Sequence, residues 1–264
     1  MKKKVIQVGG SVRSGTTMTA LVLANQKNAI ALGEVMHLFY PVRKKYIEKV
    51  TALKKDVRWD RIISDTPANL YKNIFKEFPH INIIIDSSKD PFWFKETAKN
   101  IEEAEVNRLV TYKHPNDLKE SFQKRDLNNW SKVYTNYYKR FYTVFPETQS
   151  VMLDKLLAEE GYLKKLCKDF GLEYFDNKLE YWNQKQPNFF GSQTVKKNKL
   201  DNTLKTNKDT FEDIDLKLVF TFLNNRDIDQ TSFNGNTFSY DKLTIQLYWI
   251  KDYFLKKKLL KLFK

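Results

Sequence analysis

The sequence holds a single cysteine, Cys167, in 264 residues. That excludes a disulfide framework and a cysteine-based zinc site, and it fits a reducing compartment. Histidine is also scarce, three in all, and no His/Asp/Glu group has metal-site spacing, so no metal is expected. No run approaches the roughly 18 uninterrupted apolar residues of a membrane span. The basic start, Lys2 to Lys4, is followed only by Val5 to Val8 before a glycine pair. That is too short for a secretory signal, and the chain reads as a mature cytoplasmic one. Glycine numbers only 8, and Gly9, Gly10, Gly15 and Gly33 all fall at the start of the chain. A chain so sparing of glycine concentrates it where the backbone needs special geometry.

Positive charge is what the sequence has in excess. Lys plus Arg is 46 and Asp plus Glu is 32, leaving +14. This predicts attraction to anionic partners (nucleotides, nucleic acid, acidic glycans, anionic lipid) without choosing among them. Hydrophobic residues at 41% and aromatic residues at 14% are enough for a packed core and argue against disorder. The length suits one domain or two small ones.

The periodicity predicts strands at Val5–Val8, Ile81–Ile85, Arg108–Tyr112 and Ser150–Leu153, all short, with Ile81–Ile85 strongly β-branched. Helices are predicted at Thr16–Gln26, Val42–Lys55, Pro67–Glu77, Pro91–Glu103, from Pro115, at Asn128–Val144 and at Leu156–Phe170, the last stopped by Gly171. Strand and helix alternate, which argues for a phosphate-loop-type three-layer α/β/α fold with a central parallel sheet. Such sheets bind ligands beyond the C-terminal ends of their strands. The functional segments are therefore expected at Gly9–Thr17, Asp86–Lys89 and Lys113–Ser121. Residues 184–207 read as a long polar loop near the site, Asp209–Leu223 as a helix and Tyr240–Lys264 as a final helix. The whole chain, 1–264, is expected to be one domain, with residues 1–175 as nucleotide-binding core and 176–264 as loop and mostly helical C-terminal part.

Between the first strand and first helix stands Gly10-Ser11-Val12-Arg13-Ser14-Gly15-Thr16-Thr17. It has the spacing G-x-x-x-x-G-K-[ST] of a phosphate loop, with Thr16 in the lysine position. Such a loop turns backbone N–H groups towards a phosphate, and the helix N-terminus adds its positive dipole end. Arg13 can supply the missing cation. In phosphate-loop NTPases the lysine reaches the β- and γ-phosphates, and magnesium is held by the Ser/Thr and a strand-end Asp. A loop without that lysine suits one phosphate at the site and no metal. An ordinary glycine turn between strand and helix is the plainer alternative.

The segment RSGTT (Arg13–Thr17) after a strand resembles the 5′-phosphosulfate loop of sulfotransferases that use 3′-phosphoadenosine 5′-phosphosulfate. The resemblance extends to three further segments. GEVMHLFYP (Gly33–Pro41) is similar to the G-E segment of tyrosylprotein and bacterial carbohydrate sulfotransferases. IIIDSSKDP (Ile83–Pro91) is similar to their strand-end segment, and Val151–Tyr174 to a later helical region. Together these pieces cover about the first 175 residues, and their order and spacing make the case. The family holds the 3′-phosphate with R-[DN]-P-[RK]-D-[VL]-x-x-S, which here reads Lys113-His114-Pro115-Asn116-Asp117-Leu118-Lys119-Glu120-Ser121. The cation is Lys113 rather than arginine, a point charge in place of a planar fork.

The resemblance implies a role for each residue. Arg13, Ser14, Gly15, Thr16 and Thr17 hold the leaving 5′-phosphate, and Lys113 and Ser121 the 3′-phosphate. Lys89 reaches the bridging or a sulfonate oxygen, and Glu34 is the base for the acceptor hydroxyl. His37, three residues on, competes for that role because its ordinary pKa suits it. His80 and His114 have no role in this reading. Phe189 to Ser192 is expected to border the nucleotide through Gly191. Cys167 reads as an inert core thiol, and the Tyr/Phe run from Tyr134 to Phe145 as core, some of its rings being candidates for an acceptor groove.

The expected activity is transfer of a sulfonate to a hydroxyl on a carbohydrate or glycolipid. Two alternatives stay open: a phosphate-loop kinase for a small molecule using magnesium-ATP, and a non-enzymatic basic nucleic-acid-binding protein. No nucleic-acid module is recognisable, so no specific nucleic acid is expected as partner. The stretch Trp249–Lys264 carries six lysines against one aspartate, with Leu and Phe between them. It reads either as a basic amphipathic helix lying on the anionic inner membrane face or as a terminal helix packed on the domain with its lysines solvated.

Overall fold

Short apolar runs buried on both faces set the architecture, as in a parallel sheet. The computed structural model describes residues 2–192 apart from 114 and 128, together with 195. Strand β1 (Lys3–Gly9) lies at the centre of a five-stranded sheet. Its parallel neighbours are β3 (Ile83–Asp86) and β4 (Ala104–Tyr112). Strand β2 (Ala29–Gly33) pairs beyond β3, and β5 (Gln149–Met152) beyond β4, giving the all-parallel order β2-β3-β1-β4-β5.

Successive side chains on a strand face opposite ways, and the core divides accordingly. Val5, Ile30, Leu32, Ile84 and Val110 point to one face. There they meet α4 (Val57–Ser64), α5 (Leu70–Glu77), α6 (Pro91–Thr97) and α8 (Trp130–Val144) through Ile62, Tyr71, Phe75, Phe94 and Phe141. Ile6, Val8, Ile83, Ile85, Leu109 and Val151 point to the other. They meet α1 (Thr16–Leu23), α9 (Leu153–Ala158) and α10 (Glu160–Asp169) through Leu21, Leu23, Leu156, Leu163 and Cys167. The result is the expected three-layer α/β/α arrangement. From β1 the chain goes outward to β2, returns to β3, then crosses β1 to β4. That change of direction opens a crevice over the C-terminal end of β1.

Three local readings change. Ala29–Gly33 is a strand, so the sheet has five strands rather than four. Val57–Ser64 is a helix started by Asp56, whose carboxylate accepts from the Arg58 N–H at 2.9 Å. The single helix expected over Leu156–Phe170 is two, because Glu159 is extended (φ −112°, ψ 104°) and serves as the last cap of α9 and the first of α10. Two short helices, α2 (Met36–Phe39) and α3 (Lys44–Leu53), follow β2, and α7 (Pro115–Gln123) follows β4.

The outer edge of β2 is covered by the chain itself. The N–H groups of Asn188 and Phe189 donate to the carbonyls of Ala31 and Leu32, each at 2.8 Å, and Gln186 Oε1 accepts from the Ala31 N–H. Lys178, fully buried, donates to the Asn25 carbonyl at 3.1 Å and to Gln26 Oε1 at 2.9 Å just beyond the C-terminus of α1. Burial holds its ammonium down to a pKa of about 8. The expected helices at Asp209–Leu223 and Tyr240–Lys264, and the far part of the 184–207 loop, lie outside the described residues. Among the described residues no helix is long and apolar enough to cross a membrane.

Candidate active site

The loop after β1 has the backbone of an anion cradle. Gly10 (φ 151°), Arg13 (φ 72°) and Gly15 (φ 93°) all have positive φ, and Gly15 caps the N-terminus of α1. A Cβ on Gly10 would stand 2.6 Å from the Thr111 carbonyl, so only glycine fits there. The Ser14 hydroxyl donates to the Ser11 carbonyl at 2.7 Å and pins the turn. The Ser87 hydroxyl oxygen, just after β3, is buried with no partner among the described residues. An orphaned polar atom at a strand end fits a polar ligand over the crevice.

Arg13 brings two distant parts of the sequence together: its Nε donates to Ser121 Oγ on α7 at 3.1 Å. Lys113 stands at the end of β4 on the same side. Burial lowers its pKa; Asp154 and Asp117 oppose that shift and Arg13 adds to it. Burial, with Arg125 nearby, likewise lowers the Arg13 pKa. Cations held partly out of water close to one another form a site that an anion would relieve. Thr16 and Thr17 begin α1. The Thr17 hydroxyl accepts from the Ser192 N–H at 3.2 Å, and a Cβ on Gly191 would lie 3.0 Å from the Thr17 methyl. Phe189–Ser192 thus runs along the loop's helix, and among the described residues its ring contacts are with His37, Tyr46 and Trp59.

A second group sits over the ends of β2 and β3. Lys89 Nζ donates to Glu34 Oε1 at 2.5 Å, and the other Glu34 oxygen lies 3.6 Å from His37 Nε2. All three side chains are mostly enclosed, with Glu34 22% and Lys89 20% exposed. His37 Nδ1 faces the Tyr40 carbonyl at 3.3 Å, and its ring packs on Tyr46. The structure therefore brings Glu34, His37 and Lys89 into one cluster and Arg13, Ser121 and the phosphate loop into another. His80 is remote, against Phe78, and His114 lies outside the described residues. Glu34 owes its place to β2: it follows Gly33 at the end of that strand, not merely at the end of α1.

Asp86 also differs from its expected place among functional residues. It is fully buried and accepts from the Tyr71 hydroxyl at 2.7 Å, Trp93 Nε1 at 2.8 Å and the Ser88 N–H at 2.8 Å. Burial raises its pKa while these bonds pull it back. Its role is to fix the turn that presents Ser88 and Lys89; Ser88 Oγ then accepts from the Met36 N–H at 3.1 Å.

Sequence reasoning did not single out Tyr137 and Tyr138, which tie α8 to the loop. The Gly10 N–H donates to the Tyr137 oxygen at 2.7 Å, and the Tyr138 hydroxyl donates to the Thr111 carbonyl at 2.6 Å. Helical spacing marks this run as core, and Tyr134, Tyr138, Phe141 and Tyr142 are indeed buried. Spacing gives no sign of where a hydroxyl ends. Cys167 is buried as expected, and burial raises its pKa.

The chain matches no protein-family model and no curated protein. Among solved structures it matches the sulfotransferase domain of the Synechococcus PCC 7002 olefin synthase, with a TM-score of 0.55 and 15% identity over 84% of this chain and 96% of that one. The fold is that of a sulfotransferase domain. A sulfotransferase domain from the curacin biosynthetic pathway (TM-score 0.49, 13% identity, 75% of this chain and 83% of that one) and a Janibacter sp. HTCC2649 sugar kinase (TM-score 0.40, 14% identity, 65% and 99%) align less well. In this fold the loop after β1 is joined to α7 by the Arg13–Ser121 bond, and the ends of β2 and β3 are joined by the Glu34–Lys89 pair.

Proposed function

We propose that the chain is a sulfotransferase that moves a sulfonate from 3′-phosphoadenosine 5′-phosphosulfate to a hydroxyl of a glycan or glycolipid. The observation that carries this reading is the bond from Arg13 Nε in the loop to Ser121 Oγ on α7. It joins the loop read as a 5′-phosphate cradle to the segment that matches the family's 3′-phosphate motif. A ligand with phosphates at both ends of a ribose suits that spacing; a single terminal phosphate leaves half of it unused.

The residues divide the work. The loop's N–H groups and Arg13 would hold the leaving phosphate, and Ser14, Gly15, Thr16 and Thr17 would shape the cradle. Lys113 and Ser121 would hold the 3′-phosphate. Glu34 would take the proton from the acceptor hydroxyl as its oxygen bonds to sulfur and the sulfur–oxygen bond to the phosphate breaks. The electron pair would leave on the phosphate, where Arg13 and Lys89 stabilise it.

The kinase alternative is less well served. Thr16 replaces the loop lysine, the Thr17 hydroxyl is already engaged by Ser192, and Asp86 accepts three hydrogen bonds in the core. A magnesium nucleotide would need all three positions. For the acceptor, the exposed apolar side chains Val12, Tyr40, Val42 and Phe92 stand in the same segments as Arg13, His37 and Lys89, with Arg140 over the Phe92 ring. Apolar surface interleaved with cations supports an acceptor that has both an apolar body and polar or anionic groups.

Calorimetric titration tests the reading. The protein should bind 3′-phosphoadenosine 5′-phosphate tightly, and adenosine 5′-phosphate and magnesium-ATP weakly. Preference for magnesium-ATP would sink it and move the chain to the kinases.

A further inference from the structure

The residue after the Asp86-Ser87-Ser88 turn, Lys89, has φ 71°, a left-handed conformation in a residue with a full side chain. That conformation is disfavoured for a residue with a Cβ and needs something to hold it. Helix α8 holds it at two points one turn apart. The Tyr137 hydroxyl donates to the Lys89 carbonyl at 2.6 Å. Arg140 Nη2 donates to Asp90 Oδ2 at 2.8 Å, while Asp90 Oδ1 accepts the first N–H groups of α6 at 2.9 and 3.1 Å. The Tyr137 oxygen also accepts from the Gly10 N–H at 2.7 Å, so one phenol oxygen joins the phosphate loop to the backbone of Lys89.

The surroundings are shaped for this contact. The Tyr137 ring stacks on Phe141 with centroids 5.9 Å apart and meets Tyr138 edge-on at 5.1 Å. A Cβ on Gly9 would lie 2.5 Å from the Phe141 ring and 3.0 Å from the Tyr137 oxygen, so the glycine lets α8 approach β1 this closely. Burial pushes the Tyr137 pKa well above the ordinary phenol range, so it keeps its proton to donate.

We propose that Tyr137 is a positioning residue: its hydroxyl fixes Lys89 relative to the phosphate loop, and Lys89 in turn fixes Glu34 through their 2.5 Å pair. The bond that breaks in transfer lies between the loop's phosphate and the sulfur; the acceptor oxygen must attack in line with it, within hydrogen-bond reach of the base. One hydroxyl therefore sets the distance between the two halves of the reaction. This inference rests on the sulfotransferase reading above.

The test compares wild type with Tyr137→Phe, Lys89→Ala and the double variant. Two quantities are measured: affinity for 3′-phosphoadenosine 5′-phosphate, and its release from 3′-phosphoadenosine 5′-phosphosulfate with water as acceptor. Tyr137→Phe should bind the bisphosphate within about 3-fold of wild type yet turn over about 10–100-fold more slowly, as expected for a displaced reacting group. The double variant should be no slower than Lys89→Ala, because Tyr137 acts through Lys89. Unchanged turnover in Tyr137→Phe, or losses that multiply in the double variant, would overturn the inference. If Tyr137→Phe does not fold, Arg140→Ala carries the test, since that side chain is 53% exposed. It should slow release several-fold at unchanged bisphosphate affinity, and release as fast as wild type would overturn the inference. A wild type that neither binds nor releases the bisphosphate would remove the sulfotransferase reading and this inference with it. A wild type that does both, matched by its variants, would remove this inference alone.

Discussion

Replacing Gly33 by alanine should damage both the fold and the site. Gly33 has φ 71°, so any side chain there costs about 1–2 kcal/mol in backbone conformation. Its Cβ would stand 2.4 Å from Asn188 Oδ1 and 2.9 Å from both the Asn188 carbonyl carbon and the Phe189 nitrogen. The last two are backbone atoms and cannot rotate away. Relief requires Asn188–Phe189 to move off the edge of β2, which strains the hydrogen bonds to Ala31 and Leu32, each worth about 0.5–1.5 kcal/mol. The sum is roughly 2–5 kcal/mol, or a fall in melting temperature of about 5–15 °C for a chain of this size. Thermal unfolding by circular dichroism measures it directly. Adding Asn188→Gly removes the nearest contact and a buried amide with no partner among the described residues, and should restore part of the loss. A melting temperature within about 2 °C of wild type for Gly33→Ala alone would refute the close approach of these two segments. Glu34 is the next residue, so the same substitution should also lower turnover.

Three further outcomes are expected. Arg13→Ala should cut turnover by about 10²–10³-fold and weaken bisphosphate binding, because it removes the loop's only side-chain cation; full activity would break the phosphate-loop assignment. Glu34→Gln should lower turnover by about 10²–10⁴-fold with bisphosphate affinity nearly intact, and if His37→Ala does this instead, the base is His37. Lys178 has a pKa of about 8 in the fold against an ordinary 10.5, so between those values the unfolded chain binds a proton that the folded chain does not. Stability from this group should therefore rise with pH across that window, by up to about 3 kcal/mol. The stability difference between wild type and Lys178→Met should shift in favour of wild type from neutral pH to about pH 10, and a flat difference would dismiss the burial argument.

The parts of this protein that were legible in its sequence are those in which one local pattern has one physical solution. Val5–Val8 and Ile81–Ile85 are β-branched runs bounded by turns, and each contains strand. The glycine spacing of the loop and the lysine after Asp86-Ser87-Ser88 point to the ends of β1 and β3 because a parallel sheet gathers those ends. Ala29–Gly33 carries no clear strand signal, because Ala-Ile-Ala-Leu is as compatible with helix as with strand. Its alanines face α1, where small side chains let the helix sit close, and tertiary packing overrides weak propensity. The bond between Arg13 and Ser121 spans 108 residues, and the link from Tyr137 to Lys89 spans 48. Neither leaves a mark in local spacing, since both depend on how helices dock on the sheet. Asp86 shows the same limit: a strand-end carboxylate looks functional until its three donors, Tyr71, Trp93 and the Ser88 N–H, are known.

The segment that pairs with β2 has a bearing on how this protein can be handled. An open parallel edge offers a row of free backbone groups to any other strand it meets. Here residues 186–189 occupy that row, and they lie beyond residue 175, where the expected alternation of strand and helix stops. A fragment ended at 175 would keep the five described strands yet expose Ala29–Gly33, apolar and uncharged, along its outer side. Such a fragment would self-associate edge to edge, and its insolubility would say nothing about whether the crevice binds a nucleotide.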